Sequence, residues 1–370
     1  MVQLYNVVLI LILFITAIYC FLNNEKYRTH FFVLFVLILG SMSAFRFETF
    51  YGDFLRYTYH VIEAYKMPWK DVFLQDEFLN GVYQKLIIIL FKDPQFYFIT
   101  SGFFIAFAFL YIGHKLSCNI CVYTFLFYTT FTYFVMHNIT RQGIATGILC
   151  FSAYYLIKNK PQKSLILFFI AFFFHTSSIV FAVIYLLRFI PINKKTFFVY
   201  GILFFCLSCF YPFFIDVVQM FIYESYDDNS FGMKPAKIYN LVTIFPVIHA
   251  IAFLYHENNK KTFFVLEENI NRAVINMLIH GSCLYCIFVS MCCICAGIFM
   301  RVANVFVIFP LLCISVSLKK IHHFKKLYFI FVLYLIGISI FIISNMNAKL
   351  FPSPYNFFWE VENRPVLVKQ

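Results

Sequence analysis

The stretch Val2–Leu22, VQLYNVVLILILFITAIYCFL, contains no charged residue. About 20 apolar residues cross a bilayer as a helix. A barrel strand would alternate polar and apolar positions over roughly ten residues, and this run does not alternate. Comparable runs recur at 30–45, 96–113, 119–137, 141–157, 196–215, 239–255, 273–298, 302–318 and 326–344. Hydrocarbon leaves backbone N–H and C=O groups no water to bond, so such runs must be helices. The expected fold is an all-α polytopic integral membrane protein of about 10–12 transmembrane helices.

Two segments are ambiguous in this count. Residues 79–91 are apolar but short, as an interfacial or partial helix is, and residues 164–187 are interrupted at their centre by His175-Thr176-Ser177-Ser178. With the N-terminus outside, the inside loops 23–29, 114–118, 158–163, 188–195, 256–272 and 319–326 hold 16 of the 29 Lys and Arg residues. That is more than twice the density of the outside segments, as the positive-inside rule requires. Both flanks of 164–187 are then basic, so the segment is a re-entrant helical hairpin with His175 at its tip, or else two ordinary spans. The whole chain, 1–370, is expected to be one integral membrane domain. Its outward-facing parts are the loops 46–95 and 216–238 and the tail 345–370, which carry 13 of the 17 acidic residues.

A net charge of +12 raises the question of nucleic acid. The positive charges are spread through short loops between apolar runs, and neither a basic helix nor an aromatic–basic platform is present, so no nucleic-acid partner is expected. Cys283, Cys286, Cys292, Cys293 and Cys295 lie in one apolar run, where Cys behaves as a small hydrophobe. Cys283 and Cys286 have C-x-x-C spacing, but no second pair lies at the distance a metal site needs. Val2–Leu22 lacks a basic leader and a small-residue cleavage site and is read as a retained first span.

Against this apolar background a few polar residues stand out. Arg141 opens a run in which Gly143 and Gly147 have small-xxx-small spacing, which lets a second helix approach closely. An Arg there either snorkels to headgroups or offers its planar fork to a phosphate. His175 is either a satisfied core residue or bundle polar contact, or else a general base or phosphate hydrogen-bond donor, since an imidazole titrates near neutrality. Arg46 ends one run, with Asp53, Arg56 and Tyr57 shortly after it. Asp76, Glu77 and Asn80 form an acidic cluster before 79–91. The acids Asp216, Glu224, Asp227 and Asp228 make either a solvated loop or a general-base loop. Arg301 sits in the connection Met300-Arg301-Val302-Ala303-Asn304, between apolar flanks that offer it little hydration. Under the charge-based orientation Arg46, Arg141 and Arg301 share the outer span ends, which describes a pocket for a polyanion.

These residues carry a resemblance. The set Ala44-Phe-Arg46 with Gly52-Asp53 and Tyr57, Glu77-Phe-Leu-Asn80, Ile139-Thr-Arg141-Gln142-Gly-Ile-Ala145, Phe174-His175-Thr-Ser-Ser178, Met300-Arg301-Val-Ala-Asn304 and Pro354-Tyr355-Asn-Phe357 resembles the EpsG-like family of Wzy-type polysaccharide polymerases. Such proteins extend bacterial O-antigen, capsule or exopolysaccharide chains. The resemblance implies a glycosyltransferase in the bacterial cytoplasmic (inner) membrane, joining undecaprenyl-diphosphate-linked oligosaccharide repeat units at the outer face. It implies His175, Arg141 and Arg301 as catalytic residues. Arg46, Asp53, Tyr57, Glu77, Gln142 and Tyr355 would bind substrate. No cofactor and no metal is expected, because Arg groups would carry the charge of the leaving diphosphate. A chain-length regulator and a flippase of the same pathway would be partners, besides membrane lipid. A lipid-linked oligosaccharide flippase and a membrane acyltransferase are the rival readings.

Overall fold

A computed structural model of the chain describes residues 7–8, 11–12, 15, 27–47, 54–116, 119–130, 132–213, 244–259, 272–320 and 356–357. Each apolar run that falls among them is helical, as expected of an all-α membrane protein. Two of the helices are long and apolar enough to cross a membrane by themselves, or up to four spans form if each of two bent helix pairs counts as one. Most of the run 2–22, the run 326–344, the loop 216–238 and nearly all of the tail 345–370 lie outside the described residues.

The chain gathers into two compact units. The first comprises 1–154, 162–176 and 337–370. In it α1 (Arg28–Ala44) runs antiparallel to α5 (Gln95–Lys115). Arg28 donates to the carbonyl of His114 at one end, and Gln95 Nε2 donates to the carbonyl of Ala44, 2.7 Å away, at the other. The segment 54–91 folds into α2 (Phe54–Lys66), α3 (Trp69–Phe73) and α4 (Phe78–Phe91). On α2 the buried residues Phe54, Tyr57, Thr58, Val61 and Ala64 recur with the helical period and define its inner face. The buried Lys85 of α4 reaches across to α2. Its ammonium donates to the carbonyls of Ala64 (2.9 Å), Tyr65 (3.3 Å) and Met67, the orphan acceptors of a helix C-terminus.

The run 119–137 is not one straight helix. It divides into α6 (Ile120–Thr129) and α7 (Thr132–Asn138), bent by 60°. Thr129 and Thr130 hydroxyls both bond back to carbonyls four residues earlier, a competition with the helical ladder that bends helices. Next come α8 (Thr140–Ile157) and α9 (Pro161–Phe174), tied by a Ser152–Ser164 hydroxyl hydrogen bond of 2.9 Å. The close approach foreseen at the two glycines of α8 is present. A Cβ on Gly143 would collide with the Met136 carbonyl, and one on Gly147 would meet Phe104 at 3.0 Å and Ala108 at 3.2 Å. A short ladder, β1 (Arg46–Phe47) with β2 (Asn356–Phe357), pairs Arg46 with Phe357 and Phe47 with Asn356.

The second unit comprises 155–161 and 177–336. Its described helices are α10 (Ala182–Leu187), α11 (Lys194–Cys209), α12 (Ile244–Asn259), α13 (Arg272–Ile294), α14 (Phe299–Phe306) and α15 (Ile308–Lys320). The long α13 is buried over most of its length. His280 on it accepts from or donates to the Tyr200 hydroxyl at 2.5 Å and bonds the Ile190 carbonyl at 2.9 Å. Helices α14 and α15 meet at 42°, because Pro310 has no N–H for the preceding turn and its ring crowds that turn's carbonyl. Arg301, expected in a connection, is carried inside α14.

Candidate functional site

The described segments 54–91, 132–157 and 161–176 converge on one carboxylate, Glu77. It is the residue before α4, where the helix's first N–H groups favour negative charge. Arg141, in the first turn of α8, donates from Nη1 to Glu77 Oε2 at 3.0 Å. His175 Nδ1 contacts Glu77 Oε1. The backbone N–H of Thr176 donates to the same oxygen at 3.1 Å, and the Thr176 hydroxyl at 3.4 Å.

The last two contacts follow from the helix break. Helix α9 ends at Phe174, and a 3₁₀ turn opens at Thr176–Phe181. Ser and Thr side chains offer the backbone alternatives to the helix. A new turn begins with N–H groups that have no partner in the chain before them. Glu77 supplies one from 99 residues away. The interruption at His175, visible as polar residues in an apolar run, is therefore what frees a donor for the carboxylate.

Burial by itself would raise the Glu77 acid. The His175 hydrogen bond, the charges of His175 and Arg141 and the Thr176 amide outweigh it and hold the group down at about 2. Glu77 is an ionised acceptor shared by a guanidinium and an imidazole. With the carboxylate on Nδ1, His175 has its ring orientation set by Glu77; the residue is 4% exposed.

Arg141 is held on two sides. Its guanidinium lies 5.6 Å from the centre of the Tyr57 ring, within the range of a cation–π contact. Tyr57 in turn packs beside Tyr97, ring centres 6.2 Å apart, and Tyr97 beside Tyr83 at 5.3 Å. The Arg141 side chain keeps 31% exposure. Its Nε is buried and has no hydrogen-bond partner among the described residues.

The other expected residues fall as follows. Arg46 is buried, 7% exposed. It donates from Nη2 to the carbonyl of His137 at 2.6 Å, which also accepts from the Thr140 hydroxyl at 2.8 Å. Arg46 thus fixes the corner from which α8 starts and so the place of Arg141. Gln142 is buried on the first turn of α8. Arg301 belongs to the second unit, on α14, one helical turn before the buried Asn304. Asp53 and Tyr355 lie outside the described residues. Among the described residues no group of three His, Cys, Asp or Glu side chains is placed to hold a metal ion.

Sequence reasoning missed Thr176 as a donor and Lys85 as the clasp between α2 and α4. The signal for Thr176 was present in the helix break. Lys85 had one as well, being a lone cation in the apolar run 79–91.

The fold and the site define an all-α integral membrane protein with an Arg–Glu–His cluster built from three distant segments. The family model of the EpsG family matches residues 29–357, and the chain belongs to that family. EpsG proteins are associated with polysaccharide biosynthesis of the polymerase type. No curated protein and no solved structure matches the chain.

Proposed function

We propose that the protein is a multi-pass glycosyltransferase of the bacterial cytoplasmic membrane that polymerises a surface polysaccharide. Its substrates are oligosaccharide repeat units on undecaprenyl diphosphate, joined at the outer face with one lipid diphosphate leaving. The observation that carries this reading is the state of Arg141. Its Nη1 is committed to Glu77, its side chain is partly open beside Tyr57, and its Nε–H is buried without an acceptor among the described residues. A buried donor left unmade costs about 1–3 kcal/mol, and a phosphate oxygen entering beside Tyr57 would satisfy it. A leaving diphosphate gains charge as the glycosidic bond breaks. A guanidinium already fixed by Glu77 stabilises that charge with no reorganisation at the moment of reaction.

In this scheme Glu77, His175 and Thr176 hold Arg141, and Arg46 holds the corner of the chain that precedes it. His175 acts through Glu77: the imidazole is nearly inaccessible and its Nδ1 is taken. Arg301 is proposed as a phosphate ligand in its own right, on the strength of its sequence setting alone.

The test is gel analysis of surface glycan from cells carrying a deletion complemented with Arg141→Ala or Arg141→Lys, each checked for membrane insertion. Arg141→Ala should abolish the ladder and leave single-repeat material. Arg141→Lys should recover only partly, because an ammonium has no planar fork. Long polymer from the Ala variant would overturn the assignment. Loss of all glycan, single repeats included, would point to a flippase instead.

A further inference from the structure

The transfer proposed above needs a group that removes the proton of the acceptor hydroxyl, and His175 is too enclosed to meet one. A second imidazole lies nearer the surface. His60 is one turn beyond Tyr57 on α2, and its side chain is 43% exposed. Arg56 Nε donates to His60 Nε2 at 3.4 Å, while His60 Nδ1 faces Glu63 Oε2 at 3.6 Å. A guanidinium N–H can only donate, so Nε2 carries the lone pair and Nδ1 carries the hydrogen, directed to the carboxylate. This is the arrangement of a general base held by an acid behind it. A contact of 3.4 Å is at the long limit for a hydrogen bond, so a hydroxyl can displace Arg56 from Nε2.

The electrostatics agree. Partial burial lowers the affinity of His60 for a proton, the Arg141 and Arg56 guanidiniums lower it further, and Glu63 opposes them; the net direction is down from the usual imidazole value. His60 is therefore neutral, as a base must be, at neutral pH. Among the described residues the charged groups that act on it are Arg56 and Glu63 on its own helix and Arg141 on α8. The placement of the imidazole is geometric: His60 lies one turn beyond Tyr57 on α2, and the Tyr57 ring centre is 5.6 Å from the Arg141 guanidinium of the proposed diphosphate site.

We propose that His60, oriented by Glu63, is the general base of the transfer: its Nε2 takes the proton of the acceptor sugar hydroxyl. That hydroxyl oxygen forms the new bond to the anomeric carbon, the bond from that carbon to the diphosphate oxygen breaks, and the electron pair leaves with the diphosphate held at Arg141. The imidazolium then returns its proton to water. The proposal rests on the polymerase reading.

The full-length protein in proteoliposomes, supplied with polyprenyl-diphosphate-linked oligosaccharide repeat units, provides the test. His60→Gln should lower kcat by about 10²–10⁴-fold, the usual worth of a general base, with KM nearly unchanged. The wild-type rate should rise with pH through an acidic limb below about 6.5, and His60→Gln should lack that limb. Glu63→Gln should retain the limb, moved to lower pH, because the group that raises the imidazole value is gone. Arg141→Ala serves as the reference. If it is inactive while His60→Gln stays within threefold of wild type with its acidic limb intact, the assignment of His60 is overturned and the polymerase reading stands. If Arg141→Ala is fully active, or wild type makes no polymer, the reading beneath it falls as well.

Discussion

Replacing Glu77 by Gln keeps the shape of the side chain and removes the charge that joins three segments. The carboxylate is 16% exposed and makes an ion pair of 3.0 Å with Arg141, a contact with His175, and hydrogen bonds of 3.1 and 3.4 Å to Thr176. Its acid is depressed from 4.5 to about 2, and a depression of that size corresponds to about 3 kcal/mol of stability. Neutralising Glu77 also leaves the half-buried Arg141 guanidinium without its counter-charge, which acts in the same direction. The sign follows from the direction of the shift. A carboxylate with a depressed folded value contributes its full stability above about 4.5 and loses it as pH falls toward about 2. Thermal unfolding in detergent micelles should show Glu77→Gln well below wild type at pH 7, with the gap closing between pH 4.5 and 2.5. Polymer formation should fall by about 100-fold, since a misplaced guanidinium loses its alignment. A variant as stable as wild type at pH 7, or a gap that does not change with pH, would refute the reasoning.

Two further predictions concern packing around the site. Gly143→Ala places a methyl group where the Met136 carbonyl lies; because backbone gives way poorly, it should cost about 1–3 kcal/mol, read as a lowered unfolding temperature. Lys85→Met keeps the length of the side chain but strips three carbonyls at the end of α2 of their donor. Unmade bonds of this kind cost about 1–3 kcal/mol, and limited proteolysis should cut the 54–91 segment faster while the rest of the chain keeps its wild-type pattern.

Much of this was legible in the chain. The runs 30–45, 96–113, 141–157 and 273–298 are helices because lipid permits them little else, and the interruption at His175 is a break because Thr176, Ser177 and Ser178 compete for the backbone. Glu77, Arg141, His175 and Tyr57 could be singled out as polar groups in or beside apolar runs. Their partners could not. Arg46 stood near Asp53 in the sequence, and nothing there showed that it bonds the His137 carbonyl, 91 residues away. His60 drew no attention, since a His among Arg and Glu on a short amphipathic helix resembles an ordinary solvated face.

The sequence by itself determined the helical membrane class, the break, and the small set of costly polar residues, because burial in hydrocarbon penalises every charge and unbonded amide wherever it stands. Only the tertiary structure decided that Glu77 serves Arg141 and His175 together. Those residues are 64 and 98 positions away from it, and the apolar runs between them would tolerate many rotations and registers. The choice falls to contacts such as Gly143 against Met136, where close packing admits one arrangement.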